Sequence, residues 1–77
     1  MNKQRRKLIE KEIKKLLEIA DNVTAIIDEE QDAFDNLPES QQDGERGETM
    51  LGYIEQLEEV MTYINSAVEE LEYCLEE

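Results

Sequence analysis

From Met50 to Leu75 the apolar residues fall at Met50, Ile54, Leu57, Met61, Ile64, Val68, Leu71 and Leu75. The steps between them alternate four and three, the rhythm that keeps one seam of an α-helix facing a second helix along its length. Every seam position is filled, so the spacing predicts a helix over about 45–75. Apolar Leu51, Tyr53, Val60, Ala67 and Cys74 flank the seam and broaden it. A single helix with such a face is not stable in water, so the fold turns on what covers it.

The first half of the chain supplies a partner. Ile9, Ile13, Leu16, Ala20, Val23, Ile27, Glu30, Phe34 and Leu37 repeat the same rhythm, with Glu30 as the one charged member. No Gly or Pro occurs from residue 2 to 37, and Asn2 is a good N-cap, so a first helix is predicted over about 3–35. Leu17, Ile19, Ile26 and Ala33 widen its seam beyond the stripe of a two-stranded coiled coil.

The pattern breaks over about 36–44. Pro38 cannot extend the first helix and biases Leu37 away from helical geometry. Asn36 is suited to a left-handed cap, and Pro38-Glu39-Ser40 to one short turn. Asp43 or Gly44 can cap the second helix, with Glu45 and Glu48 in its first turn, where the helix dipole favours acids. Gly47 falls on the seam, where a small residue lets two backbones approach. A connection this short forces the helices antiparallel. The expected fold is therefore all-α, a single-domain helical hairpin over 1–77.

Charge supports the same topology. Residues 1–15 hold seven Lys/Arg against Glu10 and Glu12, a balance of +5, whereas residues 16–77 hold nineteen acids against Arg46, a balance of −18. The basic start and the acidic end at Glu69, Glu70, Glu72, Glu76 and Glu77 each oppose their own helix dipole. Folding back lays one beside the other. Exposed pairs contribute only about 0–1 kcal/mol each, so they select orientation more than they supply stability.

Seventy-seven residues are few for a self-sufficient core. Cys74 is the lone cysteine and there is no histidine, which leaves no internal disulfide and little material for zinc or haem. Oligomerisation remains. Two hairpins pressed together as a four-helix bundle cover both broad faces, so a homodimer is expected, with Leu16, Val23, Ile27, Ile54, Leu57, Met61, Ile64, Val68 and Leu71 as its core. A trimer, a larger bundle, or a helix of another protein lying in the groove are the competing arrangements. A free thiol suits the cytoplasm. Lys11, Glu12, Lys14 and Lys15 interrupt any signal-like apolar run, and no stretch reaches membrane-spanning length.

Candidate sites are few. Glu30, buried alone, would cost several kcal/mol or take up a proton. The hairpin places it near Leu51, Gly52 and Tyr53, whose phenol is a candidate donor to it. Against that stands a seam that opens near the loop and lets Glu30 reach water. The loop end is rich in acids, yet it lacks the alternating carboxylates of a calcium loop, and the oily seam lacks the inward carboxylates of a helical nucleotide hydrolase. No catalytic, metal or cofactor residue is assigned, and the chain is read as a non-enzyme. Arg46 is expected to bridge to Asp35 or Glu39.

The outer face of the second helix is the strongest functional hint. Glu55, Glu58, Glu59, Glu69, Glu70 and Glu72 stand there with no lysine among them, although Glu55 and Glu59 repel at i,i+4. Tyr53 is expected at the core margin, and Tyr63 and Tyr73 as exposed anchors. The expected partner surface is Glu55, Glu58, Glu59, Tyr63, Glu70 and Tyr73, facing a protein that carries basic groups. A solvated acidic face with no partner is the plain structural explanation. A narrower reading is a DNA mimic: nineteen acids over a hairpin of about 50 Å give one per about 2.6 Å, against one phosphate per about 1.7 Å of duplex. Direct nucleic-acid binding is not expected, because the −18 segment repels a polyanion.

The segment Phe34-Asp35-Asn36-Leu37-Pro38-Glu39-Ser40, followed by Glu45-Arg46-Gly47-Glu48 and an acidic heptad helix, resembles short helical proteins encoded by phages and mobile elements of Gram-positive bacteria. The resemblance covers roughly residues 29–77. It implies a genomic setting and an accessory role, and no catalytic residues. The shared loop residues read as structural: Asn36 and Pro38 shape the turn, Phe34 and Leu37 close the core, and Arg46 ties the loop.

Overall fold

The computed structural model describes residues 1–76, so Glu77 at the acidic end lies outside the described residues. Two long helices, α1 (Lys3–Asp35) and α3 (Glu45–Tyr73), pack against each other through a connection that contains the single turn α2 (Glu39–Gln42). No strand occurs among the described residues. The particle measures 58 × 15 × 12 Å, two helices wide and one helix thick.

Local chemistry sets each boundary. Asn2 is extended and its Oδ1 accepts a 2.8 Å hydrogen bond from the Arg5 amide, satisfying one of the orphan donors of α1. Pro38 occupies the N-cap position of α2, where its missing N–H is no loss. Gly44 caps α3 in an extended conformation, and Glu45 and Glu48 sit in the first turn. At the far end α3 tightens into i,i+3 bonds, with the Cys74, Leu75 and Glu76 amides reaching Leu71, Glu72 and Tyr73 carbonyls. Regular helix therefore stops at Tyr73, two residues short of the predicted limit.

Asn36 departs from expectation. It stays right-handed at φ −87°, and no residue among those described has positive φ. The reason lies six residues on. The side-chain amide of Gln42 donates to the carbonyls of Phe34 (3.1 Å), Leu37 (3.2 Å) and Asp35 (3.4 Å), which closes the end of α1 without a left-handed cap. Gly47 completes the corner. A Cβ there would stand 2.6 Å from the Gln42 carbonyl carbon and 2.8 Å from the Gln41 oxygen, so α2 lies directly on this glycine. The close approach predicted for Gly47 is real, although the backbone it admits is that of α2 and not of α1.

The core is thin. Ala20, Ile54 and Val68 are its buried apolar side chains, while the other seam residues are half-buried. The accessible surface is 5991 Å². A compact monomer of 9.0 kDa would expose about 4,900 Å², so the lone hairpin leaves about 1,100 Å² more in water than a globular chain of its mass.

Candidate partner-binding surface

The acids and tyrosines singled out on the second helix all lie on α3. From Ile54, which faces α1, each residue turns the helix by about 100°. On that count Glu59, Tyr63 and Glu70 point away from α1, Glu55 and Tyr73 lie on the adjoining flank, and Glu58 lies only about 40° from the direction of Ile54; all six are exposed. Glu55, Glu59 and Tyr63 form a stripe at i,i+4, and Glu70 continues it two turns later. Tyr63 and Tyr73 are 62% and 71% exposed. They stand about 15 Å apart along the axis.

One contact orders this stripe. The Tyr63 hydroxyl donates a 2.7 Å hydrogen bond to Glu59 Oε1. That bond favours the protonated phenol and, with slight desolvation, holds Tyr63 above its ordinary pKa of 10.0. The i,i+4 spacing of Glu59 and Tyr63 carried this signal in the sequence. Thr62 bonds back to the Glu58 carbonyl at 3.3 Å, so its hydroxyl is turned to its own backbone. No lysine lies on α3, and Arg46 makes no ion pair among the described residues, so its expected bridge to Asp35 or Glu39 does not form. The acidic surface is uncompensated from within the helix that bears it.

One further expectation is corrected. Tyr53 is 61% exposed, well outside the core margin. Neither it nor Glu30 donates to or accepts from the other, and Glu30 is half-buried. The two residues lie at similar heights along the hairpin, but the helical rotation at Tyr53 turns its ring to the side and away from α1.

The residues expected in a dimer core divide in two. Ile54 and Val68 are buried within the single hairpin. Leu16, Val23, Ile27, Leu57, Met61, Ile64 and Leu71 are half-buried. Thr24 Oγ1 approaches Met61 Sδ at 3.9 Å across the pair, which marks the turns at which the two helices meet. Nothing in the sequence marked that contact, because it depends on which turns happen to meet.

The other regions offer little chemistry. Among the described residues no three His, Cys, Asp or Glu side chains converge as a metal site. An open depression at the terminal end is lined by Met1, Tyr73, Cys74 and Glu76, which places the start of α1 beside the end of α3. The basic segment also pairs along its own helix, Lys15 with Glu12 at 3.2 Å. No helix is long and apolar enough to cross a membrane. Compared with protein-family models, with curated proteins and with solved structures, the chain matches none of them.

Proposed function

We propose that this chain is a non-enzymatic protein-interaction module, a cytoplasmic accessory protein of a phage or mobile element that works as a homodimer. Two hairpins pair into a four-helix bundle, and the acidic outer surface of α3 receives a protein partner with a basic surface. One observation carries the reading: Glu55, Glu59, Glu70, Tyr63 and Tyr73 share a single exposed arc with no lysine on the helix to neutralise it. Selection for solubility alone would intersperse basic residues there. Exposed tyrosines amid acids supply the rigid, amphipathic anchors that interfaces use. The excess surface of the lone hairpin supports the dimer.

The test is affinity capture from a lysate of a Gram-positive host, with light scattering run in parallel. The protein should elute at twice its chain mass and retain specific partners, which Glu55→Lys, Glu58→Lys and Glu59→Lys together release without changing that mass. A single-copy mass at micromolar concentration removes the dimer, and capture unaffected by the three lysines removes the acidic surface from the role. The density of carboxylates favours a narrower version, an inhibitor that occupies the basic groove of a nucleic-acid enzyme. In that version duplex DNA displaces the protein from its partner, and binding collapses as salt rises.

A further inference from the structure

Each long helix carries more apolar surface than the hairpin uses. Ala20 of α1 and Ile54 and Val68 of α3 mark the line along which the two helices meet. In each helix a further column advances by sevens, Ile19-Ile26-Ala33 in α1 and Tyr53-Val60-Ala67 in α3. Both columns are rotated about 75–120° from the meeting line, in the same sense along the chain. Because the helices are antiparallel, equal rotation brings both columns out on one broad side of the hairpin. Ile19 and Ile26 are 48% and 49% exposed on that side. The opposite side holds Leu17, Leu51 and Tyr73 singly, among Asp21, Asp28, Glu58 and Glu69.

We infer that this side receives a second copy of the chain, laid antiparallel, so that the loop end of each hairpin covers the terminal end of the other. The inference rests on the dimer reading above and adds its face and its direction. Area is sufficient: a standard interface takes about 800 Å² from each partner, within the about 1,100 Å² that the lone hairpin exposes in excess. Charge sets the direction. Residues 28–48 hold nine acids and Arg46, a balance of −8. The terminal end sets seven Lys/Arg in residues 1–15 against Glu10, Glu12 and the five acids of residues 69–77, a balance of zero. Loop-on-loop stacking brings the two −8 ends together. Antiparallel stacking lays α1 on α1 in opposite directions, with residues 3–10 of each copy along residues 28–35 of the other, basic against acidic.

Cys74, exposed and the sole cysteine, provides the probe. A nitroxide placed on it reports the distance between copies by pulsed dipolar spectroscopy. In the antiparallel register the two-fold axis passes near Ile19 of α1 and, by the Thr24–Met61 contact, near Ser66 of α3. Cys74 lies eight residues from Ser66, so the antiparallel dimer separates the two labels by about 25 Å. A loop-on-loop dimer holds them within about 20 Å. A label at the other end, through Cys74→Ser with Asp43→Cys, should give a separation longer still. A dimer with short distances at either position overturns the direction and leaves the dimer standing, whereas a single-copy mass without dipolar signal overturns both. Ile26→Glu should dissociate the dimer while helicity by circular dichroism is kept, and Leu17→Glu on the opposite side should not. A dimer that survives Ile26→Glu overturns the choice of face.

Discussion

Two side chains do work that their neighbours cannot replace. Gln42 offers one amide to three carbonyls at the end of α1, and two of those bonds are part-buried. Leaving such acceptors unsatisfied costs about 1–3 kcal/mol. Gln42→Ala should therefore lower unfolding stability by about 1–2 kcal/mol in urea. Gln42→Glu, equal in shape but unable to donate when ionised, should cost at least as much; a Glu variant as stable as wild type would show that the shape of Gln42 matters and its donation does not. Tyr63 is the second case. Its bond to Glu59 raises the phenol pKa, so the contact stabilises the folded chain below the ordinary value of 10.0 and loses its effect as pH rises through the raised one. Glu59→Gln should bring the Tyr63 titration, followed by ring-carbon NMR, down toward the ordinary value. If it does not move, Glu59 is not what holds the proton.

Glycines within one helix behave oppositely because of what lies over them. Gly47→Ala drives a methyl into the Gln41–Gln42 backbone of α2, which is not a flexible side chain that can swing away. A loss of about 1–3 kcal/mol is expected, the cost of overpacking. Gly52→Ala meets nothing within 4 Å and should instead gain about 0.5–1 kcal/mol from helix propensity. Thermal melts of both variants check the pair; equal effects would mean that α2 does not rest on α3. The same contrast shows what could be read from residues alone. Helix existence, length and pairing followed from heptad spacing, because burial along a shared seam is the dominant force and its period is visible. Asn2, Gly44, Glu45 and Glu48 followed from capping chemistry, which is local. Asn36, Arg46 and the placement of Tyr53 did not, because each depends on rotation about a helix axis or on a side chain from elsewhere. The tyrosines of the outer face were legible as exposed at Tyr63 and Tyr73, where no seam competes for them. Tyr53, next to the seam, was not.

For the molecule as a whole, net charge sets a term that acts on folding and on binding with opposite signs. The chain carries −13, most of it unneutralised along α3 and the loop end, so compaction and self-association both work against self-repulsion. Added salt shortens the Debye length from about 30 Å at 0.01 M to about 3 Å at 1 M, which spans the separation of charges on a body 58 Å long. Sodium chloride should therefore stabilise the protein. A relief of about 1 kcal/mol corresponds to about 4–8 °C in thermal midpoint for a chain of this size. The same salt should weaken attachment of a basic partner, because there the screened interaction is attractive. The two responses are read on one sample series, by calorimetry of the free protein and by retention of the captured partner. A midpoint that falls with salt would mean that the pairing of basic and acidic ends outweighs the repulsion along α3. A partner retained at 1 M salt would be held by Tyr63, Tyr73 and apolar contact, and the acidic arc would then serve solubility instead of recognition.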